Sequence, residues 1–180
     1  RRLPRAAYGM TIAHLGVAVL IAGITGASAW QQEKIQAMSF GETVELAGYA
    51  FTLVGVNEVK GPNYTAVRGE FTVTRNGQEV ARLFPEKRNY PVEKRPSTEA
   101  AITNVWMNDL YAVIGDQDES GAWVTRLYYK PLVPLLWLGM LTMAFGGLVS
   151  LSDRRHRIGV PAHRAKKFEA ANSTLTGAKA

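Results

Sequence analysis

Two stretches of this 180-residue chain carry no Asp, Glu, Lys or Arg, and they constrain the fold more than any other feature. One runs from Ala6 to Gln32, the other from Leu132 to Ser152. A hydrocarbon core about 30 Å thick takes roughly 20 helical residues to cross, and both stretches are that long. Within hydrocarbon a lone segment satisfies its backbone only as a helix, so two transmembrane helices are expected, over 6–32 and 131–152. Tyr8 and Trp30 bracket the first, while Trp123, Tyr128, Tyr129 and Trp137 gather at the start of the second, as in interfacial aromatic belts. Pro131 and Pro134 fall where the second helix would begin, a position that tolerates proline.

A cleavable export signal is the rival for the first stretch. Arg1, Arg2 and Arg5 precede it, and Ala27-Ser28-Ala29 resembles a small-residue cleavage site. Two features favour a retained helix: the apolar run is longer than a usual signal core, and a polar His14 lies inside it. The chain opens on Arg and not Met, which reads as the continuation of an upstream segment.

Charge gives the expected orientation. The stretch from Gln31 to Lys130 holds 11 Lys/Arg against 13 Asp/Glu, a net of −2, so the flanks carry +8 of the overall +6. Under the positive-inside rule the basic flank 1–5 and the basic tail 153–180 are cytoplasmic, and the segment 33–130 is exported. The pI near 9.7 therefore reports topology. No nucleic-acid partner is needed, because the tail lacks interleaved aromatics and anionic headgroups suffice.

Between the helices the hydrophobic period changes to two. Tyr49–Val56 is rich in aromatic and branched residues, Glu70–Arg75 alternates cleanly, and Asn76-Gly77 predicts a type I′ hairpin returning through Gln78–Phe84 to a stop at Pro85. Further strands are expected at Thr43–Leu46, Leu110–Ile114 and Trp123–Tyr129. The fold class expected is a membrane protein with two transmembrane α-helices flanking a small antiparallel all-β domain, a sandwich or partly open barrel.

That domain has no His, and the chain has no Cys, so thiolate metal sites, haem-attachment motifs and cysteine nucleophiles are excluded. Glu86, Glu99 and Asp109 read first as turn and edge charges. Gly61-Pro62-Asn63-Tyr64 reads first as a turn. Pro85-Glu86-Lys87-Arg88-Asn89-Tyr90 sets two cations beside an aromatic, which could dock an acidic partner or a propionate. No catalytic residue is assigned.

His14 lies nine residues beyond Arg5, about 13 Å along a helix, within the expected hydrocarbon region. An ionisable group there is a functional hypothesis by default, although hydrogen bonding to a neighbouring helix remains a structural alternative. Ala7, Thr11, His14, Ala18, Ala22 and Thr25 recur on one helical face, small apart from the imidazole. Such a face admits a second helix or a flat macrocycle, and its imidazole could coordinate a haem iron. His156 and His163 fall in the basic tail and read as solvated. Met10, Met140 and Met143 read as packing before ligation.

Gly9-Met10-Thr11-Ile12-Ala13-His14-Leu15-Gly16, Gly61-Pro62-Asn63-Tyr64, Pro85-Glu86-Lys87-Arg88-Asn89-Tyr90, Thr98-Glu99-Ala100-Ala101-Ile102, Asp109-Leu110-Tyr111, Tyr128-Tyr129-Lys130-Pro131 and Gly146-Gly147-Leu148-Val149-Ser150-Leu151-Ser152-Asp153-Arg154-Arg155 occur in that order. As an ordered set, spanning residues 8 to 157, they resemble the C-terminal part of the CcmF family of cytochrome c-type biogenesis proteins. The resemblance implies a bacterial inner-membrane haem lyase component that joins haem to apocytochrome c on the periplasmic side. It implies haem delivery by the chaperone CcmE, and CcmH as a partner. It also implies a membrane b-type haem, with His14 as one axial ligand of its iron and the second ligand outside this chain. The family's tryptophan-rich segment and periplasmic haem-binding histidines are not in this sequence. The chain is therefore expected to be a fragment or one product of a split gene, acting with the remainder of the CcmF polypeptide and not catalytic by itself. The alternative is a two-span scaffold whose exported β domain binds partners without any haem role.

Overall fold

The computed structural model describes residues 4–92 and 95–153. Beyond Asp153, the expected basic tail with His156 and His163 lies outside the described residues. Among the described residues, helix α1 (Arg5–Ala29) comes first and helix α2 (Val133–Leu151) last. Both are long and apolar enough to cross a membrane. Leu15, Ile21 and Ile24 on α1, and Leu141, Phe145 and Leu148 on α2, stand exposed. A helix apolar on every side and uncovered by protein suits a lipid solvent.

Among the described residues between the helices lie ten strands: β1 (Gln32–Met38), β2 (Thr43–Leu46), β3 (Tyr49–Lys60), β4 (Thr65–Arg75), β5 (Gln78–Leu83), β6 (Glu86–Tyr90), β7 (Arg95–Glu99), β8 (Ala101–Val105), β9 (Asn108–Gln117) and β10 (Trp123–Pro131). All pairings are antiparallel. One sheet has the order β1-β10-β9-β8, and the other the order β2-β3-β4-β6-β7 with β5 also on β4. The two enclose one core containing Met38, Tyr49, Phe51, Leu53, Phe71, Val73, Leu110 and Leu127. Alternation produces it: Leu110, Ala112 and Ile114 of β9 point inward while their neighbours do not. A polar latch spans the two sheets, with Asn108 Nδ2 of β9 donating to the Tyr49 hydroxyl of β3 at 3.4 Å. The Tyr129 hydroxyl donates to Asn108 Oδ1 at 2.9 Å, and Arg75 donates to the Tyr49 hydroxyl at 3.1 Å while stacking 4.9 Å from its ring centre.

The Asn76-Gly77 turn has φ of 52° and 77°, as a type I′ hairpin requires. Ala47-Gly48 repeats those angles between β2 and β3. Gly61–Tyr64 is a turn, closed by a 2.9 Å bond from Gly61 N to Tyr64 O.

Several boundaries differ from the sequence expectation. The first helix stops at Ala29, because Gln32 is already paired with Tyr129 in the sheet. Pro131 closes β10 rather than opening α2, and Pro134 alone lies in the first turn of α2. Trp123 is no belt residue: it starts β10, about 26 Å of strand away from Pro131 at roughly 3.3 Å per residue, and packs on the core.

Packing divides the chain into two compact units. One combines α1 up to Val17 with α2 from Leu141 onward. There a Cβ on Gly9 would lie 2.6 Å from Gly146 O, and one on Gly146 would lie 2.7 Å from Gly9 O. Only glycine permits such backbone approach, the device by which apolar helices pair without a hydrophobic driving force. Ala6 N, at the start of α1, donates to the Asp153 carboxylate at 3.0 Å. The other unit, Ala18–Met140, contains the sandwich. In it a Cβ on Gly139 would lie 2.6 Å from Leu20 N, and one on Gly23 2.9 Å from Leu136 N.

These contacts set a paired expectation. Gly146→Val should lower the membrane-fraction level of the chain several-fold, as a loss of about 1–2 kcal/mol does. Gly147→Val, one residue along with nothing within 4 Å, should leave it unchanged by immunoblot. Equal levels for both variants would contradict backbone contact as the basis of pairing.

Candidate functional site

His14 sits on the side of α1 turned away from its glycines. At 100° per residue it lies about 160° around the helix from Gly16 and about 140° from Gly9. Gly9 and Gly16 are buried, whereas His14, Thr11, Ala18, Ala22 and Thr25 are exposed and Ala7 is half-buried. The small-residue face read from the sequence therefore has no occupant among the described residues. The glycine face, which that reading passed over, takes the helix contact.

Thr11 and His14, on the open face, make their hydrogen bonds inside the helix. Thr11 Oγ1 donates to Ala7 O at 3.0 Å. His14 Nδ1 lies 2.7 Å from Met10 O. A carbonyl only accepts, so Nδ1 carries a proton in this contact, and in the neutral imidazole Nε2 then keeps its lone pair. It is the arrangement of a metal-ligating imidazole, whose second nitrogen is held by a carbonyl or carboxylate that fixes the tautomer and raises basicity. Met10 and Met140 are exposed and Met143 is half-buried, with no feature that marks them as ligands.

Asp153, read from the sequence as a charge and as part of the Gly146–Arg155 motif, ties the two helices. It is buried, and its carboxylate accepts from Ala6 N at the positive end of the α1 dipole. The signal was available: one acid closes a charge-free run directly before Arg154-Arg155.

The second candidate, Glu86 to Tyr90, lies on β6 in the sandwich. Glu86 is buried and takes Arg68 Nε at 2.7 Å and Arg88 Nε at 2.8 Å. The Arg88 guanidinium, and next that of Arg68, holds its carboxyl below the usual carboxylate range, although burial opposes this. Arg88 stacks 4.6 Å from the Tyr64 ring centre, Tyr64 packs against Tyr90, and Lys87 is ion-paired with Asp116. Lys87, Arg88 and Asp116 border a cleft of about 530 Å³ that Glu58 and Thr65 also line. Both cations arrive there already neutralised, so the arrangement stitches β4, β6 and β7 and offers no spare charge to an acidic partner. Glu99 lies at the edge of this network, 3.9 Å from Arg88, and Asp109 accepts from Asn104 at 2.8 Å. The structure does not bring these two carboxylates to a common site.

Comparison with known proteins gives a consistent result. The family described as the CcmF C-terminal beta-sandwich matches residues 29–131. The cytochrome c-type biogenesis protein ccl1 of Rhodobacter capsulatus is 47% identical over 94% of this chain and 26% of its own length. CcmF of Pseudomonas aeruginosa is 44% identical over 89% of this chain and 24% of its own length. CcmF of Escherichia coli K12 is 44% identical over 83% of this chain and 23% of its own. The chain thus spans about a quarter of the length of these relatives. A solved structure, Cytochrome c Heme Lyase CcmF, superposes with a TM-score of 0.65 over 82% of this chain and 25% of that one. At 23% identity it supports the fold alone.

The Glu86 network carries its own pH expectation. Because its folded-state pKa is lowered, its stabilisation is complete above the ordinary carboxylate value of about 4.3 and is lost as pH falls through the lowered value. In urea unfolding of the chain between pH 7 and pH 3, Glu86→Gln should be less stable at pH 7 and show a shallower acid decline. Parallel declines for the two proteins would contradict the assignment.

Proposed function

The chain belongs to the CcmF family, and on that premise we propose that it is the C-terminal part of a cytochrome c maturation subunit that acts in haem ligation to apocytochrome c, with His14 as an axial ligand of a membrane b-type haem. The observation that carries the ligand assignment is the 2.7 Å contact of His14 Nδ1 with Met10 O, which leaves Nε2 as the free donor on an open helical face.

The residues present fit such a group. Met10 O holds the Nδ1 proton, so His14 presents one tautomer and one ring orientation. Thr11 keeps its hydroxyl on Ala7 O, so it does not compete for the ligand position. A b-type haem there would supply one-electron chemistry. The second axial ligand comes from outside this chain.

In this reading α1 and α2 cross the bacterial inner membrane with both termini cytoplasmic, on the charge asymmetry of +8 against −2. The sandwich is then periplasmic. Its internally neutralised cleft suits a docking and scaffold role beside an active site built by the remainder of the CcmF polypeptide. CcmH, the haem chaperone CcmE and apocytochrome c are the partners this assigns. The absence of cysteine is consistent with thiols contributed by the substrate.

His14→Ala, in the chain assembled with the remainder of the CcmF polypeptide, is expected to abolish or markedly shift the low-spin b-haem absorbance while the protein accumulates normally. An unchanged spectrum would place His14 in packing against a neighbouring helix and leave the sandwich as a partner-binding module without a haem role.

A further inference from the structure

Trp106 has no role in the account so far, and it is costly where it stands. It is 89% exposed, against 62% for Trp30 and 65% for Trp137. It also has a φ of 64°, a left-handed conformation that glycine adopts freely and bulky residues rarely do. With Met107 it forms the two-residue turn between β8 and β9, since Val105 pairs with Asn108. A turn that merely reversed the chain would be better served by Gly or Asn.

The sheet register fixes where this turn lies. Gln32, the first residue of β1 after α1, pairs with Tyr129 near the end of β10. Pro131, the last residue of β10 before α2, pairs with Asn108, the first residue of β9. Trp106 therefore stands at the same end of the four-stranded sheet as both helix junctions, within about 10 Å of the end of β10 at two strand spacings. A direct bond secures the placement. Leu132 N, immediately before α2, donates to Met107 O at 2.6 Å. Trp30 follows the end of α1, and Trp137 lies in the opening turns of α2, both exposed.

We propose that the Trp106 turn is a third membrane contact, a hairpin tip that lays its indole in the phospholipid headgroup zone and fixes the tilt of the sandwich over the bilayer. Tryptophan suits that zone because its ring is apolar and its N–H remains hydrated or bonded to headgroup oxygens. The occupant is lipid and not protein, because the tip is tied to the point where the chain enters an apolar, uncovered helix. This inference rests on α1 and α2 crossing a membrane.

The chain lacks cysteine, so single-cysteine variants can be spin-labelled without background. The full chain is placed in vesicles of phosphatidylethanolamine and phosphatidylglycerol, with labels at Trp106→Cys, at Glu119→Cys in the opposite turn between β9 and β10, and at Leu141→Cys in α2. Collision with oxygen, which partitions into lipid, is compared with collision with a water-soluble nickel chelate. The oxygen-to-chelate ratio is expected to be several-fold higher at 106 than at 119, and highest at 141. A ratio at 106 equal to that at 119 overturns the proposal. So does a label at 106 shielded from both reagents, which would indicate a protein neighbour. A low ratio at 141 overturns the spanning reading, and this inference with it. As a check with native side chains, Trp106→Phe should remove emission that bromine-labelled lipid quenches; removal of an iodide-quenched component only would count against the proposal.

Discussion

In the bilayer proposed for them, apolar helices gain nothing from hiding apolar surface, so the two helices would hold together only through shape and a few polar ties. Shape is supplied by glycine. Gly9 and Gly146 meet main chain to main chain, and in the other unit Gly139 meets Leu20 N and Gly23 meets Leu136 N. Asp153 adds one charge-assisted bond to the amide of Ala6. Committing the glycine face of α1 to this contact has a geometric consequence. The opposite face, with His14, is left open among the described residues.

The sandwich follows a different logic. Its charges are numerous but largely satisfied within it: Glu86 between Arg68 and Arg88, Lys87 with Asp116, Arg82 with Glu79. Its two sheets are joined at one end by Tyr49, Asn108, Tyr129 and Arg75. Such a body keeps a fixed outline and presents few unsatisfied groups. Those are properties of a positioning surface, as the proposed scaffold role requires.

Much of this was legible in the sequence. The charge-free runs announced both helices, and Asn76-Gly77 announced its hairpin, because each depends on local chemistry alone. β1, β6, β7 and β8 were not legible. Gln32–Met38 alternates weakly, and Glu86–Tyr90 is mostly charged or polar; these strands exist because neighbours supply hydrogen-bonding edges that no local pattern records. Trp123 misled for a related reason: proximity in sequence to α2 hid a full strand length of separation. On α1, the recurrence of small residues around His14 drew attention to one face. The spacing of Gly9, Gly16 and Gly23 marked the other, and only the fold showed which of the two was occupied.

The functional account depends on Nε2 of His14 being a bond donor to iron, and not simply on a residue of its size at that position. The most direct test is chemical rescue of His14→Gly, with the chain assembled with the remainder of the CcmF polypeptide. Added imidazole should enter the vacated space and restore the low-spin b-haem absorption bands lost in the variant, with saturable dependence on imidazole concentration. A variant that keeps its wild-type spectrum without imidazole would contradict the account.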